Sequence, residues 1–425
     1  MKHKRRMFGL AAAVSAVALA AVAGATTGSA AAAPSAAPNG AQHAAAGKIT
    51  IWADADRKAA VDRIASAWGK SKGVDVVVLQ KDFGKIRDDL KTVQADTAPD
   101  VIVGAHDWTG ELAASGLVLP LFPSRTVRAQ FPAYALNAFS YGTAVKRLYG
   151  APVAIENIAL IVNTQLAKVP RNFADLQRQA LAFKRKKSGN LAIAVQQGNN
   201  GDAYHMYPFF SGLCGYVFGT NRAGNLDPSD IGLDSPRFLR NAKQIDSWNK
   251  TGLVNAKVDD GAASSAFLSK KAAFWITGPW NADRISKAGI KFRVVQMPRI
   301  NCNSVPFLGV QGFMVTKFSS QHGVESLAKD LVGSYMMSSA SQTALAAANG
   351  RYPANTRAGA RVTNPVLKQF GVASKGGVPM PNIPQMSAVW SDLGAAWVKS
   401  TKGSGATPAR VSFATASRNI ANKIG

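Results

Sequence analysis

Strand-like and helix-like segments alternate from Lys48 onward, and this alternation constrains the fold more than any other feature of the sequence. Three short apolar runs rich in β-branched residues are predicted strands, at 48–52, 74–79 and 100–103. The first two flank residues with apolar spacing of i, i+3, i+4 and i+7, the pattern of a helix face, and 83–95 is a second predicted helix. Strands that alternate with helices form parallel sheets, so the sequence predicts an α/β fold.

A second α/β pattern follows. Residues 151–162 are mostly apolar, with Glu156 embedded among them. The predicted strands are 191–195, 272–277 and 305–316, and the predicted helices are 173–183, 262–268, 325–337, 388–398 and 411–424. A chain of 425 residues has room for two or three domains. No linker rich in Pro and Ser separates the halves, which predicts domains joined by several chain crossings with a cleft between them. Ligands of open α/β sheets bind beyond the carboxyl ends of strands, so loops 53–57 and 104–108 are expected to face that cleft.

The N-terminus is that of an exported protein. A basic MKHKRR segment, an apolar run at 8–23 and small residues at 29–33 predict a signal peptide over 1–33. Residues 34–47, rich in Ala, Pro, Ser and Gly, predict a flexible tether. General secretion is the default route, although the tandem Arg5 and Arg6 also fit twin-arginine export. We expect the mature protein in the extracellular space or cell envelope, peripheral to the membrane.

Two cysteines, Cys214 and Cys302, lie far from the signal region, so no lipid-acceptor Cys stands at the predicted mature N-terminus. Two cysteines in an exported protein either form one disulfide or stay unrelated, and both readings are open. The five His residues are scattered without metal-ligand spacing. The glycines form neither a phosphate loop nor a dinucleotide fingerprint. The sequence therefore predicts no metal and no cofactor.

Positive charge dominates the chain, with 50 Lys and Arg against 24 Asp and Glu and a formal net charge of +26. Such an excess points to nucleic acid, an anionic envelope or an acidic medium. The one dense run, 184–187, falls at a predicted helix end, and no nucleic-acid-binding motif accompanies it. We expect no nucleic-acid partner. Retention by an anionic cell wall and a surface adapted to an acidic habitat both remain open.

Two kinds of residue could carry function. Asp54 and Asp56 follow the first strand and fit either a glycosidase carboxylate pair or helix capping, whereas Asp259 is read as a cap. Aromatic residues beside turns and acids fit either a sugar cleft or the core, because a sugar needs flat aromatic faces and charged or amide groups for its hydroxyls. The aromatic candidates are Trp108, Tyr204, Trp280 and Trp390, and the neighbouring acids are Asp107 and Asp202.

Six stretches together resemble the maltose/maltodextrin-binding proteins, the extracellular receptors of ABC sugar importers. They are KITIWADADR, APDVIVGAHDWTGELAASGL, GAPVAIENIALIVN, KAAFWITGPW, PFLGV and MPNIPQMSAVW, and the similarity covers Lys48 to Gly425. The resemblance implies a two-lobed, type II periplasmic-binding-protein-like α/β fold with an interlobe ligand cleft and a hinge. It implies lobes at 48–154 plus 309–354 and at 155–308 plus 355–425. It also implies a monomer that binds maltodextrin-type oligosaccharides for ABC permease subunits and catalyses no reaction.

The resemblance also implies a set of ligand-binding residues drawn from both lobes. They are Asp54, Asp56, Arg57, Asp107, Trp108, Glu156, Asp202, Tyr204, Trp280 and Trp390. The chain departs from the family pattern at Arg57, where Lys is familiar, and at Gly394, where an Arg can line the cleft. Gly104 stands where a bulky aromatic residue can occur, and Trp108 stands where an Arg can follow the Asp. We expect Trp108 to restore the stacking surface lost at Gly104. These departures leave sugar linkage and chain length open. A secreted glycoside hydrolase, a receptor for a different oligosaccharide and an envelope-binding structural protein remain the alternatives.

Overall fold

The computed structural model describes residues 47–142 and 145–425. The predicted signal peptide, and the predicted tether apart from Gly47, lie outside the described residues. The strands are β1 Lys48–Ala53, β2 Asp75–Gln80, β3 Val101–Ala105, β4 Ser140–Tyr141, β5 Arg147–Leu148, β6 Ala151–Asn157, β7 Ala159–Asn163, β8 Phe218–Thr220, β9 Leu226–Ile231, β10 Phe274–Thr277, β11 Phe292–Val295, β12 Phe307–Val315, β13 Tyr352–Pro353 and β14 Val378–Pro379.

The α-helices run as follows: α1 Ala55–Lys72, α2 Phe83–Thr92, α3 Thr109–Ala114, α4 Arg125–Arg128, α5 Ala133–Ala138, α6 Phe173–Lys186, α7 Ala203–Gly212, α8 Pro236–Asn241, α9 Lys243–Thr251, α10 Asp260–Leu268, α11 Ala282–Lys287, α12 Phe318–Gln321, α13 Glu325–Asp330, α14 Ser339–Asn349, α15 Thr356–Gly359, α16 Pro365–Ala373, α17 Met386–Thr401 and α18 Ala409–Ile424. Among the described residues, no helix is both long enough and apolar enough to span a membrane.

The larger sheet has the strand order β13-β6-β12-β3-β1-β2, with β14 beside β12. Strand β1 pairs in parallel with β2 and β3, as the strand and helix alternation predicts. Strand β12 then adds antiparallel to β3 and to β6, which makes the sheet mixed. We call the part of the chain packed around this sheet the first lobe.

Helix α1 shows how local sequence sets the first lobe. Asp54 caps its N-terminus by accepting the backbone N–H of Arg57 at 3.1 Å, and the predicted apolar face is buried. The helix ends at Gly73, whose φ of +67° suits the left-handed conformation that glycine adopts freely. The loop from β1 into α1 is therefore held in place at the carboxyl edge of the sheet.

The smaller sheet, β10-β7-β11, is antiparallel throughout and defines the second lobe. The predicted strand at 191–195 is wrong, because only Ala194 forms a bridge, to Trp275. The backbone of Gln197 bonds instead to Val258 at 2.7 Å, which turns the chain away before pairing can extend. Asp259 caps α10 as predicted, accepting the N–H of Ala262 at 2.7 Å.

Cys214 and Cys302 form a disulfide, which decides the question that the sequence left open. It joins the end of α7 to the loop before β12. The chain passes from the larger to the smaller sheet between β6 and β7 and returns between β11 and β12. The residue boundaries predicted for the two lobes stay a prediction.

Candidate functional site

A cavity of about 810 Å³ opens at the carboxyl ends of β1 and β3, facing the start of α7 and the segment after β10. Its size is typical of small-molecule sites. The structure brings all ten sequence-predicted site residues to its wall. They are Asp54, Asp56, Arg57, Asp107, Trp108, Glu156, Asp202, Tyr204, Trp280 and Trp390.

Asp54 serves both as the cap of α1 and as the ion-pair partner of Arg57. Arg57 Nε donates to Asp54 Oδ2 at 2.6 Å, and its Nη1 donates to Gln311 Oε1 at 2.7 Å. Burial opposes ionisation of Asp54, but the charge and hydrogen bonds of Arg57 outweigh it, so the pKa of Asp54 lies below its ordinary value. The carboxylate is therefore ionised and already engaged.

Arg351 is a site residue that sequence reasoning missed. Its Nε donates to Glu156 Oε2 at 2.7 Å, its Nη2 lies 3.5 Å from Asp56 Oδ2, and its guanidinium lies 5.6 Å from the ring centre of Trp280. Burial lowers the pKa of Arg351, but the charges of Glu156 and Asp56 more than compensate, so it stays protonated. The residue thus links Asp56 of the first lobe and Glu156 to an aromatic ring of the second lobe.

Gln311, on β12, joins the two ion pairs into one network. Its side-chain oxygen accepts from Arg57, and its Nε2 donates to Glu156 Oε1 at 2.7 Å. The amide is buried and uses both ends, as a buried polar group must if it is not to cost stability. Charged groups from α1, β6 and the residue before β13, joined by the amide of β12, are therefore held in fixed positions before any ligand enters.

His106 positions the acid that follows it. The backbone N–H of Val310 donates to His106 Nδ1 at 3.1 Å, and His106 Nε2 lies 3.0 Å from the Met380 carbonyl oxygen. The neutral His106 ring therefore carries its proton on Nε2. Burial lowers the pKa of His106 to about 4. The neighbouring Asp107 accepts the indole N–H of Trp390 at 3.0 Å, and burial raises its pKa to about 6.

Trp108 lies where Gly104 leaves room for it. A Cβ atom at position 104 would overlap the six-membered ring of Trp108. The indole is buried, and its ring centre lies 5.1 Å from that of Phe83, another residue of the cavity wall. The ring therefore occupies the space that a side chain at 104 would take. The same relation recurs at Gly278, where a Cβ would overlap the ring of Trp280.

Within the described residues, two buried polar atoms at the start of α7 have no hydrogen-bond partner: the hydroxyl of Tyr204 and Nε2 of His205. Asp202 caps the helix, accepts His205 Nδ1 at 2.9 Å and accepts Gln196 Nε2 at 2.7 Å. Because Nδ1 of His205 bonds to Asp202, Nε2 is the ring nitrogen left for a ligand. A buried polar group without a partner costs about 1 to 3 kcal/mol, so these atoms mark where polar groups of a ligand are expected.

Gly394 has a packing role in place of the cleft-lining Arg that the family pattern allows. A Cβ at position 394 would lie 2.8 Å from the carbonyl oxygen of Asn200, and a Cβ at Gly201 would overlap the Gly394 backbone. The loop that leads to Asp202 and Tyr204 thus packs backbone against backbone on α17.

A side cavity of about 590 Å³ continues from the main one and shares Asp56, Trp280 and Arg351 with it. The exposed Arg284 and Arg361 line it, and small residues of α14, Ala346 to Ala348, form its floor. Within residues 47–142 and 145–425, no group of three or more His, Cys, Asp and Glu could hold a metal ion.

Known proteins resemble this chain over most of its length. A galactooligosaccharide-binding protein of Bacillus subtilis (strain 168) is 27% identical over 366 residues, which cover 81% of this chain and 82% of that protein. The maltodextrin-binding protein MdxE of the same strain is 27% identical over 365 residues, which cover 81% of this chain and 82% of that protein.

A solved structure of the Thermus thermophilus maltotriose binding protein, bound with maltotriose, matches with a TM-score of 0.78. The match has 26% sequence identity and covers 89% of this chain and 100% of that one. The predicted two-lobed α/β fold is thereby confirmed. A family model described as bacterial extracellular solute-binding protein matches residues 59–369. The resemblance predicted from the motifs is confirmed at this level, and the chain belongs to the bacterial extracellular solute-binding protein family.

Proposed function

We propose that the protein is an exported receptor that binds an α-linked glucose oligosaccharide in the main cavity. The observation that carries the proposal is the pair of buried, unpartnered polar atoms, Tyr204 Oη and His205 Nε2, beside the partly exposed ring of Trp280. A sugar ring offers hydroxyls for such atoms and a C–H face for an aromatic ring.

The charged network supplies the remaining partners for a sugar. Glu156, Arg351 and Asp107 all line the cavity, and carboxylate and guanidinium groups take hydroxyls in charge-assisted hydrogen bonds. Arg57 and Arg351 pair with acidic side chains of the same wall, so neither sign of charge dominates there, which favours a neutral, hydroxyl-rich ligand over an ionic one. The names of similar proteins, two of which specify maltodextrin or maltotriose, support glucose units with α linkage.

We infer that the receptor binds without cleaving. A glycosidase needs a protonated general acid near neutral pH, whereas Asp54 is held ionised by Arg57. Asp56 is largely exposed and faces Arg351. Neither carboxylate of the predicted pair has the environment of a general acid, and this favours a receptor over the secreted hydrolase.

Delivery to an ABC transporter permease completes the proposal. We place the lobes at 48–154 plus 309–354 and at 155–308 plus 355–425, with a hinge between them. A ligand that touches Asp107 on one lobe and Trp280 on the other selects the closed form. We propose that the closed, monomeric receptor then docks on the permease at the membrane surface.

A tryptophan-fluorescence titration tests the ligand. We expect saturable binding of maltose, maltotriose or longer maltodextrins, and weak or no binding of trehalose, cyclodextrins and galactooligosaccharides. The Trp280→Ala variant should weaken binding by about 2 kcal/mol or more, because the aromatic face that stacks on the sugar is lost. Trp280→Phe, which keeps a ring, is the matched control. Selective binding of galactooligosaccharides would overturn the glucose assignment, and new reducing ends after long incubation would overturn the receptor reading.

The side cavity makes a chain-length prediction. If the oligosaccharide continues past Trp280, affinity rises with length until the side cavity is filled. Ala347→Trp fills that cavity without touching the main one, so it should remove the gain for long chains and leave maltose binding unchanged. Ala340→Trp, on an exposed position of the same helix α14, is the control. Equal length dependence in both variants would contradict the extension.

A further inference from the structure

The positive charge is distributed unevenly between the lobes. Residues 48–157 carry 14 Lys and Arg against 12 Asp and Glu, so this part is almost neutral. Residues 158–306, which include all three strands of the smaller sheet, carry 20 Lys and Arg against 9 Asp and Glu. The excess is therefore a property of particular surfaces, and sheet topology shows where one of them lies.

The register of the smaller sheet separates two ends of the second lobe. Strand β7 starts at Ala159, paired with Thr277 and near the cavity, and ends at Asn163, paired with Phe274 and Phe292. The far end is formed by four segments that we call the basic pole: 164–172, 184–191, 268–273 and 287–293. Together they carry 11 Lys and Arg and no Asp or Glu.

Backbone hydrogen bonds hold the segments of the basic pole together. Leu191 N–H donates to the Lys271 carbonyl at 2.9 Å, and Thr164 N–H donates to the Lys291 carbonyl at 2.9 Å. At the end of α6, Lys184 Nζ donates to the Thr251 carbonyl at 2.9 Å. The charges are thus presented from a fixed scaffold formed by the ends of all three strands and of α6.

The cations of the basic pole are largely uncompensated. In the described part of the chain, the acidic partners at the pole are Asp175, which pairs with Arg171, and Asp283, which pairs with Lys287. Like charges without partners repel one another, and an anionic partner relieves that repulsion. The exposed lysines of the pole that form no ion pair with a described residue are Lys168, Lys186, Lys187, Lys270, Lys271 and Lys291.

The pole also lies away from the sugar cavity. Strand β7 has five residues and separates the two ends by about 13 Å at roughly 3.3 Å per residue. Under the proposed function, on which this step rests, the sugar leaves the cavity toward the permease, so the cavity side faces the membrane. The basic pole then lies outside the surface around the cavity, so it stays open to an envelope polymer while the receptor is docked.

We propose that the basic pole binds a linear anionic polymer of the cell envelope, with a phosphate or carboxylate group in each repeat unit. Several lysines on one rigid surface match the repeated charges of such a chain. The attraction retains an exported receptor near its transporter. It is ionic and exposed, so salt screens it over about 8 Å at physiological ionic strength.

Binding to immobilised polyphosphate and polygalacturonate tests the proposal, with dextran as the neutral probe. The pole variant neutralises Lys186, Lys187, Lys270 and Lys271 to Gln. The matched control neutralises four lysines of the first lobe, Lys48, Lys70, Lys72 and Lys85, so the two variants have the same net charge. The pole variant loses four exposed ionic contacts with the polymer, so its polymer binding should weaken about tenfold or more. Polymer binding of the control should stay within about twofold of the parent.

Three outcomes would overturn the proposal: equal weakening in both variants, no salt-sensitive polymer binding by the parent, or preferential binding to vesicles of equal parts phosphatidylcholine and phosphatidylglycerol. Maltodextrin titration of the same variants separates this idea from the proposed function. We expect unchanged sugar affinity in both. If the parent protein binds the polymer but no sugar, the proposed function is contradicted and polymer binding by the basic pole is still supported.

Discussion

Replacing Arg351 with Met tests whether the buried charge network organises the site. Arg351 Nε donates to Glu156 at 2.7 Å, and both side chains are buried, at 9% and 7% exposure. Removing one partner of a buried ion pair leaves an uncompensated charge and costs about 3 to 5 kcal/mol. We expect Arg351→Met to lower the free energy of unfolding by an amount in this range and to abolish detectable maltodextrin binding.

A double-mutant cycle with Glu156→Gln isolates the interaction from other effects of the substitution. A charge-assisted hydrogen bond contributes about 1.5 to 3 kcal/mol, so the two single variants together should lose that much more stability than the double variant. Urea unfolding of the four proteins measures the coupling. Arg361→Met is the matched control, because Arg361 is exposed and lines only the side cavity. Additive single effects, or equal losses at 351 and 361, would refute the reasoning.

Three further predictions address the scaffold of the site. Gly104→Ala should reduce both stability and sugar affinity because its Cβ overlaps the Trp108 ring, whereas Gly371→Ala, on α16 with open space around it, should be neutral or stabilise by up to about 1 kcal/mol in urea unfolding. Reducing the disulfide should cost about 2 to 5 kcal/mol of unfolding free energy, and the Cys214→Ser, Cys302→Ser double variant should show the same loss with no response to reductant. The folded-state pKa of His106 is about 4, below the unfolded value of about 6.5, so its contribution of about 3 kcal/mol is complete above pH 6.5 and is lost as pH falls toward 4. A His106→Gln variant should show a flatter loss of stability over that window, and an unchanged profile would contradict the assignment.

The local sequence pattern was sufficient to predict many individual helices and strands. The apolar spacing in α1 predicted its buried face, because a helix must place residues three and four apart on one side. The strand predicted at 191–195 failed for a non-local reason, since the backbone there bonds to residues near 258 and 275. Apolar composition alone does not determine whether a buried segment finds a strand to pair with.

The candidate site likewise contains residues that local motifs predicted and residues that only distant contacts reveal. The ten predicted residues reached one cavity, and the family motifs that selected them are continuous stretches visible in the sequence. His205 was also visible, three residues after the capping Asp202, but nothing in that spacing indicates an unpartnered Nε2. Gln311 and Arg351 carried no local signal, because their partners lie 254 and 195 residues away.

Local sequence patterns were enough to predict the α/β class, the caps and buried faces of single elements, and the residue types around the cavity. The tertiary structure alone decided that Arg351 joins Glu156 and Asp56 to Trp280, that Cys214 pairs with Cys302, and that eleven cations meet at one end of the second lobe. The two groups of features differ in how far apart in the chain the interacting residues lie. Capping and periodicity act within one or two helical turns, whereas ion pairs and surface charge depend on strand register and packing between elements far apart in the chain.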